Sequence, residues 1–232
     1  MPPRRFFLYS APMRSGTVRF FAPRPDGRCV ILAAGDFPRK GGVPRSILES
    51  ASKIVCCDGA ADVFRRRMHR SPDAVVGDCD SIRGRFRNVV RIPEQETNDL
   101  EKAAGFCAAS GWSDPVILGA TGRRDDHSIG NVFRALSLKL EIVSESGCFV
   151  PLEGEMAFHV SQDAPVSVFV PDSRTRMKSR GLEWPLDGVR FDVLHRGTLN
   201  RAADPEIVLY SDRPVSVFFP SGALLPGRRT DI

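Results

Sequence analysis

The sequence predicts an α/β protein: an N-terminal, mainly parallel α/β sheet domain followed by a smaller C-terminal antiparallel β-sandwich. Three observations carry this prediction. Short apolar runs without alternation, four of the five stopped by Gly or Asp, recur up to about residue 118, as expected of strands covered on both faces. Helical stripes lie between them, which implies strands alternating with helices. After about residue 146, Pro and Gly punctuate short runs, and no helical stripe longer than two turns remains.

The elements follow in order. Cys29–Ala34 is the first apolar run and Lys53–Cys57 the second, stopped by Asp58-Gly59. Ala74–Val76, Val89–Ile92 and Pro115–Leu118 are the third, fourth and fifth. Leu100, Ala103, Ala104 and Cys107 follow the i, i+3, i+4, i+7 stripe of a helix. Asn98 caps that helix with Glu101 as its capping-box partner, and Gly111 closes it. A second stripe runs through Ile129, Val132, Phe133, Leu136 and Leu140. In the C-terminal part, Cys148–Leu152, Met156–Val160, Val166–Val170, Val189–Val193, Ile207–Tyr210 and Val215–Phe219 read as short strands. The division expected is a basic tail over 1–25, a catalytic domain over 26–146 and a sandwich over 147–232.

Composition narrows the class. Of the 232 residues, 42% are hydrophobic and 26% charged, which excludes wholesale disorder. No apolar run approaches the ~18 residues that span a bilayer, so no membrane association is expected. The net charge of +5 is concentrated in residues 1–25, which carry five arginines and no acid. The rest is balanced, so a nucleic-acid partner is not expected. The tail reads as a loosely docked or disordered extension, with a transit peptide as the lesser reading. Six cysteines without paired spacing read as reduced thiols, consistent with a cytoplasmic protein.

Acidic residues collect where the apolar runs stop: Asp58, then Asp78 and Asp80, then Asp125 and Asp126. In an open parallel sheet, ligands bind beyond the carboxyl ends of the strands. Carboxylates converging there repel one another unless a cation joins them, and an all-oxygen set favours Mg²⁺. In Gly77-Asp78-Cys79-Asp80-Ser81, an extended backbone points Asp78 and Asp80 the same way; the alternative is a solvated turn. Asp99 reads either as a first-turn acid stabilised by the helix dipole or as a third metal carboxylate. Gly119–His127 joins a strand to a helix. Gly119 and Gly122 permit close approach to a phosphate, and Arg123 or Arg124 is placed to clamp it. His127 reads as a polar contact or helix-start residue rather than a general base.

Taken together, Ile31–Gly35 with Asp36-Phe-Pro38, Asp58–Asp62, Gly77–Ser81, Gln95–Asp99 with Leu100–Ala103, and Gly122–His127 with Asn131 resemble the thiamine pyrophosphokinase family, in the family's order. The resemblance is strong over about residues 29–140 and weaker beyond. It implies an ATP-binding α/β domain, a C-terminal β-sandwich, and a homodimer with thiamine held between subunits. It also implies transfer of pyrophosphate from ATP to the thiamine hydroxyl, with release of AMP. By the same resemblance, Asp78, Asp80 and Asp99 hold the metal and act in catalysis with Arg124 and Asp126. ATP contacts fall to Asp58, Gly59, Ser81, Gln95, Asn98, Gly122, Arg124 and His127, and thiamine contacts to Trp184, Asn200 and Asn131. Three departures stand out. Asn98 replaces a common threonine, Arg123 replaces the second glycine of the common Gly-Gly-Arg, and Gly197-Thr-Leu-Asn200 keeps only its Asn from Ser-x-Ser-Asn.

The chemistry of the residues agrees with that implication. Attack at the β-phosphorus needs charge neutralisation and in-line placement of an alcohol, not a strong base. Trp184 offers an aromatic face to a cation or fills the sandwich core, and Trp112 reads as packing. The competing readings are a pyrophosphokinase acting on a hydroxymethyl-pterin alcohol and a non-catalytic nucleotide-binding module.

Overall fold

The structure, a computed structural model, describes residues 27–225, so the basic tail lies outside the described residues. Five strands form a parallel sheet: β1 (Cys29–Leu32), β2 (Lys53–Cys57), β3 (Ala74–Gly77), β4 (Val89–Arg91) and β5 (Val116–Leu118), joined by β6 (Ile142–Ser144). Its order is β6-β5-β1-β2-β3-β4, every pair parallel. The order reverses beside β1: β2 to β4 extend one way and β5 the other, which opens a crevice at the strand ends.

The helices are α1 (Val43–Glu49), α2 (Ala60–Met68), α3 (Asp99–Ala109) and α4 (Asp125–Ser137). They cover both faces, which explains the unalternating runs. On β1, Val30 and Leu32 enter one core cluster with Leu48 and Phe64, while Cys29 and Ile31 enter another with Ala103 and Cys107. Full burial of a side chain such as Phe64 contributes about 1.5–3 kcal/mol.

Two sequence expectations need correction here. Val89 is exposed, because β4 is an edge strand rather than a covered one. Ile129 is also exposed, and Ala135 is buried in its stead. The rotation of α4 follows from its polar edge: Asn131 Nδ2 donates to the Ala120 carbonyl at 2.8 Å, turning that edge toward the sheet. The helix ends before Leu140, which packs beyond its cap.

The C-terminal part is built on one long hairpin. β7 (Gly147–His159) pairs antiparallel with β11 (Glu206–Pro220) along nearly its whole length. Each of these strands merges two runs that the sequence reading kept separate. The register shifts between Ser211 and Val215, opposite the bend at Gly154. One arm adds β9 (Met177–Arg180) and the other adds β8 (Pro165–Phe169), followed by the edge strand β10 (Gly197–Arg201). Folding the hairpin at its crease lays apolar faces together, with Phe158, Leu209, Leu152, Val166 and Phe219 in a single cluster. Val189–Val193 forms no strand; Phe191 is buried in the core and Val189 packs against it, and β9 and β10 were not expected.

β6 turns into β7 through Glu145-Ser146, so the parallel sheet and the hairpin form one continuous sheet. Gly147 makes this junction possible. At φ +148°, a Cβ on it would sit 2.1 Å from the Phe219 carbonyl oxygen. Gly147→Ala should therefore destabilise the fold by about 1–3 kcal/mol through overpacking against backbone; chemical denaturation of the variant checks this.

Candidate functional site

The parallel strands end their carboxyl sides at a single rim. Asp58 follows β2, and Asp78 and Asp80 follow β3. Their carboxylates converge, with one oxygen from each lying within 4.8 Å of the others. Asp58 is buried, held at φ +40°, and accepts from the Ser81 amide at 3.2 Å through Oδ2. Its Oδ1 is buried without a hydrogen-bond partner. Burial is the main cause that pushes its carboxyl above the usual range, with Asp80 and Asp78 adding to it. An acceptor desolvated at such cost, facing two further carboxylates, fits a hard divalent cation.

Asp99 approaches from the first turn of α3. Its neighbour is Gly77: a Cβ there would lie 3.0 Å from both Asp99 Oδ1 and Asp58 Cβ, so the glycine gives the two acids room to close in. Burial, then Asp58 and Asp78, raise the Asp99 carboxyl. The Lys102 ammonium, itself buried, lies 3.9 Å from Asp99 Oδ1 and offsets part of that repulsion. The tightest acidic triad is thus Asp58, Asp78 and Asp80, with Asp99 beside it and paired to Lys102.

The flanking groups are specific. Gln95 Nε2 donates to Asp78 Oδ2 at 3.2 Å and is the leading cause holding that carboxyl below its usual range. Arg91 Nε donates to the Asp78 carbonyl at 3.1 Å, and Ser81 Oγ to Asp80 Oδ1 at 2.8 Å. Asn98 forms the expected capping box, both bonds at 3.0 Å, so its side-chain oxygen serves the helix that carries Asp99.

The loop after β5 closes on the loop after β1. Gly35 N donates to the Gly119 carbonyl at 2.7 Å, and Asp36 N to that of Thr121 at 2.8 Å. Gly122, at φ +83°, lies against Asp36, where a Cβ would come within 2.2 Å of Oδ2. A cavity of about 210 Å³ opens beside this loop, lined by Gly35, Phe37, Gly59, Ala60, Ser81 and Arg123. Arg124 points elsewhere: its Nε donates to Asp126 Oδ1 at 3.0 Å, and both side chains are exposed. The Arg124 guanidinium is also the main cause that lowers the Asp126 carboxyl to about 2. His127 is exposed in the first turn of α4.

Of the expected residues, the structure brings Asp58, Gly59, Asp78, Asp80, Ser81, Gln95 and Asp99 together. Asn131 holds the glycine loop instead of facing them. Trp184 and Asn200 are not part of this cluster and belong to the C-terminal strands and their connections. β10, which carries Asn200, is eight pairings from β3 in the sheet order, roughly 38 Å along the sheet at about 4.8 Å per strand. Trp184 is 54% exposed, so it is not sandwich core, and the Arg201 guanidinium lies 5.9 Å from its ring. Asn200 is buried: Nδ2 donates to the Trp184 carbonyl at 2.7 Å, and Oδ1 accepts from the Trp184 amide at 3.3 Å. Trp112 packs edge-on to Phe106, as read from sequence. Sequence reasoning missed Lys102, Arg91 and the placement of Arg123. The Lys102 signal was its i+3 spacing from Asp99.

The acidic cluster has a thermodynamic signature. A carboxyl raised in the folded state penalises the fold when ionised, so the metal-free protein gains stability as pH falls through the raised range of Asp58 and Asp99. Asp58→Asn removes that charge and suits the left-handed backbone. It should raise the metal-free melting temperature and flatten this pH dependence. It should also abolish the Mg²⁺-dependent stabilisation expected of the wild-type chain, about 2.7 kcal/mol at one hundred times Kd. Thermal melts across pH, with and without Mg²⁺, test all three.

Comparison with known proteins agrees with this geometry. Residues 44–143 match the family model described as thiamin pyrophosphokinase, catalytic domain, and residues 147–218 match its substrate-binding domain. Thiamine pyrophosphokinase 1 of Oryza sativa subsp. japonica is 26% identical over 171 residues, 57% of this chain and 65% of the rice protein, just under two thirds of its length. Thiamine pyrophosphokinase 2 of Arabidopsis thaliana is 26% identical over 210 residues, covering 71% of this chain and 76% of that one. In fold, the chain is similar to a thiamin pyrophosphokinase family protein from Enterococcus faecalis. The TM-score is 0.66 at 14% identity, over 84% of this chain and 99% of that one. With both family models matched in sequence and an acidic rim at the strand ends, the chain belongs to the thiamin pyrophosphokinase family.

Proposed function

We propose that this chain transfers the pyrophosphoryl group of ATP to the hydroxyl of thiamine, giving thiamine diphosphate and AMP. The observation that carries the reading is the Asp58–Asp78–Asp80 convergence with its unpartnered buried oxygen, in a chain of this family. The thiamine hydroxyl oxygen bonds to the β-phosphorus, the bond from that phosphorus to the α,β-bridging oxygen breaks, and the hydroxyl proton passes to solvent. Mg²⁺, when bound, supplies charge neutralisation on the polyphosphate.

The chain's own residues do the rest. Asp58, Asp78 and Asp80 hold the cation, with Asp99 as a further carboxylate steadied by Lys102. Gln95 fixes the orientation of Asp78. Gly59, Ser81, Asn98 and Gly122 frame the ATP site, and Arg124 and His127 join it once ATP draws the Arg124 guanidinium away from Asp126. The acceptor falls to Trp184, whose exposed face suits the cationic thiazolium, with Asn200 bracing the Trp184 backbone, while Asn131 braces the glycine loop beside the carboxylates.

The distance between β10 and β3 favours a site completed across a homodimer, one subunit giving the carboxylates and its partner the tryptophan. Leu199, 86% exposed beside Asn200, supplies apolar surface for that contact. No helix among the described residues is long and apolar enough to cross a membrane. Six free thiols fit a reducing cytoplasm.

Incubating the protein with ATP and either thiamine or a hydroxymethyl-pterin alcohol, with and without Mg²⁺, should yield AMP only with thiamine and Mg²⁺. AMP formation with the pterin alone assigns the other acceptor, and nucleotide binding without AMP assigns the non-catalytic module. Asn200→Ala should raise the thiamine KM by an amount equivalent to about 1–3 kcal/mol, because both Trp184 backbone partners are lost. The ATP KM should stay unchanged; steady-state kinetics with each substrate varied in turn measures the split.

A further inference from the structure

We infer that Arg123 is an additional phosphate-binding guanidinium of the nucleotide site. The inference rests on the nucleotide reading of that site and extends it to Arg123.

The backbone supplies the first argument. Arg123 adopts φ +60° and follows Gly122 at φ +83°. Two consecutive left-handed residues form the turn that closes the β5 loop. Glycine adopts that conformation freely, whereas an arginine is strained in it. A strained side chain retained at a cavity wall points to a function for the side chain rather than for the turn.

The surroundings supply the second. Arg123 lines the cavity of about 210 Å³ together with Gly35, Gly59, Ala60 and Ser81. Its Nη1 donates to the Ala34 carbonyl at 3.1 Å, which fixes the guanidinium at the cavity wall. Among the described residues, no carboxylate pairs with it, in contrast to Arg124, whose fork is closed on Asp126. Most of the five donors of Arg123 are therefore open to a ligand.

Ser81 supplies the third. It lines the same cavity, yet its amide and hydroxyl bond Asp58 and Asp80. The cavity thus carries the Arg123 guanidinium in its lining, and through Ser81 it adjoins the acidic triad. A ligand complementary to both is a polyanion carrying a divalent cation: its free oxygens meet the planar fork of Arg123 while the cation meets the carboxylates.

The test is direct binding of the Mg²⁺ complex of a non-hydrolysable ATP analogue to the full chain by calorimetry. Arg123→Gly relieves the backbone strain, so its melting temperature should equal or exceed that of the wild type. Its affinity for the analogue should fall roughly 10- to 100-fold, the loss of charge-assisted hydrogen bonds. Arg123→Lys keeps the charge without the fork and should fall between the two. Arg123→Gly binding within twofold of the wild type overturns the inference while leaving the nucleotide reading intact. A wild-type chain that binds no analogue overturns both. In turnover, the ATP KM of Arg123→Gly should rise while the thiamine KM holds; a rise confined to thiamine also overturns the assignment.

Discussion

The rest of the site depends on forcing like charges together at the end of a parallel sheet. Asp58 is desolvated, Asp78 and Asp80 lie against it, and Asp99 presses in over Gly77. Nothing in folding rewards that arrangement by itself, since each carboxylate raises the cost of ionising the next. The surroundings are organised to tolerate it. Lys102 is buried beside Asp99, Gln95 donates to Asp78, and the Asn98–Glu101 box secures the helix start that delivers Asp99. These contacts partly offset a repulsion that a divalent cation offsets more fully.

The second organising constraint is the zipper between the loops after β1 and β5. Backbone hydrogen bonds from Gly35 and Asp36 fix the two loops to each other across the crevice where the strand order reverses. The glycine-rich loop is thus tied on one side to the loop after β1 and on the other to Asn131. Preorganisation of this kind suits phosphoryl chemistry, where placement and fixed charge supply most of the catalysis.

The alternation of buried runs and helices, the carboxyl-edge location of the acids and the Asn98 cap were all legible in the sequence, because each depends on local pattern. The details that escaped are tertiary. Ile129 has the right spacing for a core position, yet the Asn131–Ala120 bond rotates α4 and exposes it. β7 and β11 read as four strands because Gly154 and the Ser211–Val215 shift look like turns, whereas they are bends within continuous pairing. At the site, the pairing of Arg124 with Asp126 and the turn of Arg123 toward the cavity are invisible in a Gly-Arg-Arg-Asp-Asp string. The bonds between Asn200 and the Trp184 backbone are likewise a property of the folded chain alone.

The continuity of the sheet through β6 and β7 has a consequence for how the protein comes apart. Because β7 pairs with β6 on one side and β11 on the other, cutting the chain after Ser146 would strip β6 of its antiparallel neighbour. The buried backbone of Ile142 and Val143 would become a bare, apolar strand edge, a template for pairing with other chains. The core cluster containing Phe64 and Leu48 would also lose its continuation into Val150, Leu152 and Phe219. The two halves, though matched by separate family models, thus share one sheet and one core cluster.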